Sequence, residues 1–254
     1  MIRIYYHIYA VRNCFDIVKK QLDLLKNSIE EQIELNIVIL SGTEADKKSN
    51  NDCTEQIKNW LQKTSYNIRK IINETDYRNE WHTLDCILED REKFNDDDYI
   101  LYFHVKGVTH TAEISKNRKK DIGAIHRLTY ERFTPDWKNI MEYYIIKNYK
   151  ECISILKNTE YNTIGTFLNE PMWNCLTYAG NIYWIKGSYA KTLGNFENTL
   201  FDGEIFDKKI NSTAEFNFIN SGTNWKPYSV FNIPYNIFTD IDFINLLKNK
   251  KNEL

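Results

Sequence analysis

Glycine and proline are scarce, at nine and four of 254 residues. Neither G-x-G-x-x-G nor G-x-x-x-x-G-K-[ST] occurs. Dinucleotide-type Rossmann and P-loop readings therefore lose their main support, because both need glycine to let backbone approach phosphate. The five cysteines (Cys14, Cys53, Cys86, Cys152, Cys175) include no C-x-x-C pair. Odd in number and widely spaced, they fit reduced thiols in a cytosolic-type compartment better than a disulfide framework or a zinc site. Charge of one sign is also missing: 33 basic side chains face 35 acidic ones, a formal charge of -2. A protein that coats nucleic acid needs a basic footprint, so no nucleic-acid partner is expected. No apolar run reaches the ~18 residues of a membrane span. Arg3 and the polar residues after it spoil a signal peptide, so a soluble, cytoplasmic protein is expected. His7, His82, His110 and His126 share no H-x-x-H or H-E-x-x-H spacing, which leaves a histidine-built metal centre unsupported.

What is present is a globular composition, 42% hydrophobic and 27% charged, rich in Tyr, Phe and Trp. A chain of this length buries roughly 70–75% of its unfolded surface. Ile2–Val11 reads as a strand, followed by a helix capped by Asn13, with Phe15, Val18, Leu22, Leu25, Ile29 and Ile33 along one face. Leu35–Leu40 is an almost wholly apolar strand that stops at Ser41-Gly42-Thr43, and Glu44–Asp52 reads as a polar loop. A short helix at Gln56–Gln62, a strand at Ile68–Ile72, a helix from Asn79 to Phe94 and a strand at Tyr99–Val105 follow. Strands alternating with helices predict an α/β fold with a mostly parallel, Rossmann-like sheet and its ligand crevice at the strands' carboxyl ends.

In the second half, 106–136 reads as a long loop or lid and 136–157 as a helix. Strands are expected at Asn162–Leu168, Leu176–Ile185 and Tyr228–Ile233, with helices at Ser188–Leu193 and near 211–220. Neither repeat nor linker divides the chain. One domain over 1–254 is expected, with a nucleotide-binding half to about 110 and an acceptor half beyond it.

The densest chemistry lies in Asp96-Asp97-Asp98-Tyr-Ile-Leu-Tyr-Phe-His104-Val-Lys106-Gly107. His104 and Lys106, two apart at a strand's carboxyl end, point the same way and suit a diphosphate, while Gly107 lets backbone turn or approach closely. A satisfied core histidine and a solvated strand-end lysine explain the same spacing. The acidic triplet precedes its strand, on the far edge of a parallel sheet, and reads as a solvated turn rather than a metal site. Gly180-Asn181-Ile-Tyr-Trp184 offers an amide for hydroxyls and an indole for a sugar face, although a Trp in a strand also suits a core. Glu215, on a short helix after a polar loop, is a candidate general base or a surface glutamate.

Tyr102-Phe103-His104-Val105-Lys106-Gly107-Val108-Thr109 resembles the "(F/L)HTKG" strand of GT-A-type glycosyltransferases from giant DNA viruses and bacterial polysaccharide loci, akin to rhamnan-synthesis-type proteins. Glu80-Trp-His-Thr83-Leu84, Trp137-x-x-x-Met141, Gly180-Asn181-Ile-Tyr-Trp184 and Ala214-Glu215-Phe216 fit the same group, in order over about 1–220. The resemblance implies a GT-A-like fold, a nucleoside diphosphate sugar as donor and a glycan or other hydroxyl acceptor, in a cytoplasm that includes that of a virus-infected cell. Tyr9, Ala10, Val11, Ser41, Gly42, Thr43, Thr83, His104, Lys106 and Gly107 would line the donor site. Gly180, Asn181 and Trp184 would meet the acceptor, and Glu215, His104 and Lys106 would carry catalysis. The group's usual Asp-x-Asp is replaced by His104-x-Lys106, so dependence on Mn²⁺ or Mg²⁺ stays open and no metal ligand is assigned. A GT-A-like glycan-binding protein that has lost catalysis is the alternative.

Overall fold

The computed structural model describes residues 1–75, 80–105, 138–166, 168–169, 177–178, 181–194, 218–219 and 221–230. Its first half alternates strand and helix: β1 (Ile2–Ala10), α1 (Cys14–Ser28), β2 (Ile33–Ser41), α2 (Glu44–Lys48), α3 (Thr54–Leu61), β3 (Ile68–Glu74), α4 (Trp81–Asp90) and β4 (Tyr99–His104). The second half contributes α5 (Tyr149–Asn158), β5 (Thr163–Gly165), β6 (Leu168–Asn169), β7 (Thr177–Tyr178), β8 (Tyr183–Lys186), α6 (Gly187–Ala190) and β9 (Pro227–Ser229). Seven strands join in the order β3-β2-β1-β4-β8-β5-β9, with β6 and β7 pairing apart. β1 to β4 run parallel, β8 is antiparallel to both of its neighbours, and β9 is parallel to β5. The expected α/β class, with a mostly parallel sheet between helices, is what the chain forms.

Both faces of β1 are covered, which explains its near-continuous apolar run. Ile4, Tyr6 and Ile8 pack with Val18, Leu22 and Leu25 of α1 and with Met141, Ile145 and Cys152. Tyr5 faces the other way, into a second core holding Leu84 and Ile87 of α4, Tyr102, Ile185 and Tyr189. Tyr6 and Phe103, register partners on β1 and β4, stack with ring centres 4.1 Å apart.

Several local expectations are corrected. Asn13 makes no side-chain capping bond, and Ile33 opens β2 instead of closing the α1 stripe. Glu44–Asp52 is not all loop, because Thr43 and Asp46 form a reciprocal capping box that starts α2. The strand expected at Leu176–Ile185 is broken: Asn181, at a φ of 50°, turns the chain between β7 and β8. The acidic turn is only partly solvated, since Asp98 is buried against Arg3 and the Met1 ammonium while Asp96 pairs on the surface with Lys191. The triplet does precede β4, at the amino edge. The helix expected over 136–157 contains a π-helical stretch, Tyr143–Lys147, and the Ile145 carbonyl there accepts the Trp184 indole N–H at 2.8 Å. The expected lid at 106–136 and the helix near 211–220 fall wholly or mostly outside the described residues.

Candidate functional site

From β1 the chain crosses to β2 on one side, while β4 lies on the other. The crevice beyond the carboxyl ends of β1 and β4 is therefore the switch point at which open α/β sheets bind ligands. His7 and His104 are register partners there and share a face with Tyr5 and Tyr102. α4 covers that face and runs from the carboxyl edge, where Thr83 meets His7, to the amino edge, where Asp90 meets Tyr5. Glu80, just before α4, is thereby delivered to the strand ends.

Glu80 is the hub. Its Oε1 lies 2.5 Å from His104 Nδ1, while Oε2 accepts the Tyr102 hydroxyl and, at 3.4 Å, the Asn181 amide. The left-handed backbone of Asn181, which Asn tolerates better than most residues, turns that amide toward Glu80. Burial alone would raise the Glu80 pKa. The His104 charge and hydrogen bond, aided by His7 and the Tyr102 hydroxyl, outweigh it and hold the carboxyl well below the usual range. His7 is the opposite case: burial lowers it to about 4, with His104 and His82 pushing the same way against Glu80. It is neutral at pH 7, with Nδ1 3.0 Å from Thr83 Oγ1.

The backbone of His104 is held from the other face of the sheet. Gln21 Nε2 donates to the His104 carbonyl at 3.5 Å and to Glu142 Oε1 at 2.8 Å, while Gln21 Oε1 accepts the Tyr6 hydroxyl at 2.6 Å. Lys138 neutralises Glu142 at 2.9 Å. Main chain and ring are thus both fixed. A neutral His104 that gives Nδ1–H to Glu80 has Nε2 as its basic nitrogen, whereas the protonated ring donates from both. The arrangement can present a proton or positive charge at the strand ends.

The expected donor rim is brought together in part. Tyr9–Val11 and Ser41–Thr43 lie on adjacent strand ends, with Ala10 in register with Ser41. Asp52 ties the rim down, accepting Gly42 N–H at 2.9 Å and Thr54 N–H at 2.7 Å. Ser41 Oγ donates to Asn73 Oδ1 at 3.1 Å and accepts from Thr54 Oγ1 at 3.2 Å. Glycine is needed at 42, because an added Cβ would come within 2.8 Å of Asp46 Cβ and 3.0 Å of Val11 Cγ1. Ala10 and Val11 turn their side chains into the core, and their carbonyls accept the Cys53 and Cys14 N–H groups, so both are buried as whole residues instead of lining the rim. Thr83 is fully buried beside His7. Trp184 departs from its expected place on a sugar-binding wall: it is fully buried and bonded to the helix behind it. Lys106, Gly107, Gly180 and Glu215 lie outside the described residues.

Glu80 and Tyr102 were quoted in the sequence only as part of a resemblance, and His7 only as a histidine without a metal spacing. The signal for His7 and Tyr102 is periodicity, since Tyr5 and His7, like Tyr102 and His104, are two apart on strands. Glu80 carries no local signal, because its place follows from where α4 crosses the sheet. The metal implied by a GT-A resemblance does not fit the described donor set. No three described His, Cys, Asp or Glu side chains converge, and N–H and O–H donors engage both Glu80 oxygens.

No protein-family model matches the sequence, and no curated protein matches it either. Among solved structures, a mannosyltransferase from Pyrobaculum calidifontis in complex with GDP-Man and Mn²⁺ is similar at 11% identity and a TM-score of 0.44. The match covers 93% of this chain and 58% of that one, so the chain spans little more than half of its neighbour's length. Among the described residues, no helix is long and apolar enough to cross a membrane.

Proposed function

We propose that the protein is a GT-A-type glycosyltransferase that moves a sugar from a nucleoside diphosphate sugar to a glycan or other hydroxyl acceptor. The observation that carries this reading is the placement of His104, braced by Glu80, at the switch point between β1 and β4. The nucleoside would lie over the rim of Tyr9–Val11 and Ser41–Thr43. His104, Lys106 and Gly107 would meet the diphosphate, with Thr83 and His7 supporting the floor below.

In the transfer, an acceptor oxygen bonds to the anomeric carbon as the carbon–phosphate oxygen bond breaks. Charge then grows on the departing diphosphate, where His104 and Lys106 oppose it, and in a transfer that inverts configuration Glu215 takes the acceptor proton. Asn181 and Gly180 would border the acceptor, while Trp184 supports β8 from behind. A cytoplasmic role in polysaccharide building, bacterial or in a virus-infected cell, accompanies the resemblance.

A thermal-shift panel of UDP-, GDP- and dTDP-sugars tests the donor class. A matching donor at ~100 times its dissociation constant stabilises by about 2.7 kcal/mol. Lys106→Ala should weaken that shift while leaving the melting of the ligand-free protein unchanged. A flat response to every sugar nucleotide rejects the reading.

A further inference from the structure

Two thiols that the proposed transfer does not use lie beside the rim. Cys14 opens α1 and Cys53 immediately precedes α3. Backbone bonds draw their segments together: Arg12 N–H to the Asn51 carbonyl at 2.6 Å, Cys53 N–H to Ala10 at 3.0 Å and Cys14 N–H to Val11 at 3.1 Å. An isolated antiparallel bridge joins Val11 to Asp52 between them. Both thiols belong to the same core cluster, packed with Val11 and Ile57. Cys53 thus stands at the N-terminus of α3, a setting that favours a thiolate. It is 8% exposed, against 0% for Cys14, 4% for Cys86 and 0% for Cys152.

We propose that Cys14 and Cys53 are a redox-modification site, a dithiol that a hydroperoxide converts into an intramolecular disulfide. The Cys53 thiolate attacks the peroxide, the O–O bond breaks, and Cys53 becomes a sulfenic acid. Cys14 sulfur then attacks Cys53 sulfur, the S–O bond breaks, and hydroxide leaves with the Cys14 proton as water. The thiol pair loses two electrons and the peroxide gains them. The order of attack follows from the environments: burial pushes the Cys14 thiol well up, whereas the neighbouring Cys14 thiol draws Cys53 down. Transient disulfides of this kind are the ones found in reducing compartments. The bridge would staple the starts of α1 and α3 across the Val11–Asp52 contact, close to where Asp52 holds Gly42. It does not depend on glycosyl transfer.

The test treats the intact protein with hydrogen peroxide, blocks remaining thiols with N-ethylmaleimide, and maps the peptides by mass spectrometry. The expected product is a Cys14–Cys53 linked peptide in a chain lighter by two hydrogens, reversed by dithiothreitol. In Cys14→Ser, Cys53 should stop at a sulfenic acid that dimedone traps, and Cys53→Ser should give neither product. Because the linked peptide is read in the parent protein, a variant that folds poorly does not blur the result. Recovery of both cysteines alkylated, or of over-oxidised Cys53 beside alkylated Cys14, overturns the proposal.

Discussion

The two ends of α4 carry comparable parts in different company. At the amino edge, Asp90 accepts the Tyr5 hydroxyl at 2.8 Å and lies 3.0 Å from Arg69 and 2.6 Å from Lys93. Nearby, Asp98 meets Arg3 at 3.2 Å and the Met1 ammonium at 3.1 Å. At the carboxyl edge, Glu80 also accepts a β-strand tyrosine, but a histidine and an amide stand there in place of the arginine and lysine. Arginine and lysine keep their charge at every physiological pH, so the amino edge is permanently neutralised. A histidine partner can gain or lose its proton, so charge at the carboxyl edge can change during a reaction. One end holds the sheet together, and the other carries the proposed site.

If that contrast is sound, the largest stability loss belongs to the amino edge. Asp98→Ala takes from Arg3 one of two carboxylates, leaving Glu34 at 2.8 Å, and strips the Asn95 N–H and the Met1 ammonium of their acceptor. It should cost about 1–3 kcal/mol in chemical denaturation, with nucleotide affinity of the folded fraction unchanged. A loss below about 1 kcal/mol would place Asp98 among weak surface pairs. Glu80→Gln should do the reverse, lowering turnover on the order of 10²-fold, as when one preorganised electrostatic partner is removed. Its melting should move less than that of Asp98→Ala. Equal turnover in parent and variant would remove Glu80 from the site.

Acid sharpens the contrast by separating the edges in pH. His7 has a folded pKa of about 4 against an ordinary 6.5, so between those values the unfolded chain binds the extra proton. Stability should therefore fall as the pH drops from about 6.5 to about 4, at up to about 1.4 kcal/mol per unit. His7→Gln should flatten this interval. Asp90 and Asp98 are depressed, Asp90 by Lys93, Tyr5 and Arg69 and Asp98 by Asn95, the N-terminus and Arg3, in each case against burial. Their contribution is present above the ordinary aspartate range, near ~3.9, and is lost below it. An acid-melting curve flat down to pH 4 in the parent would contradict the assignment of a buried, neutral His7. The smallest effect is expected at Thr43, where Thr43→Ala removes the cap of the exposed α2 and should cost about 1 kcal/mol. Urea midpoints of parent and variant check it.

The succession of strands and helices was legible where local pattern and burial agree. The apolar run of β2 and the three-and-four spacing along α1 follow from faces that pack on one core, so the sequence alone suffices there. Boundaries set by one polar bond were not. Asn13 is of a capping residue type yet makes no capping bond, whereas the Thr43–Asp46 box starts a helix in a stretch whose polarity reads as loop. At the site, His104 could be singled out from its strand position, but its partner Glu80 could not. Their encounter depends on where α4 crosses the sheet, which is a tertiary fact. Trp184 failed for the same reason: a strand Trp can face either a cleft or a core, and the Ile145 carbonyl that anchors it comes from a distant helix.

The most direct measurement is release of free nucleoside diphosphate from a panel of UDP-, GDP- and dTDP-sugars, with and without hydroxyl acceptors, by the parent and by His104→Ala. The parent should release nucleoside diphosphate from at least one donor in an acceptor-stimulated reaction. His104→Ala, still folded by its melting curve, should be slower by about 10²–10³-fold. Parental rates in His104→Ala would contradict the claim that the carboxyl edge of β1 and β4, centred on His104 and Glu80, is where the protein acts.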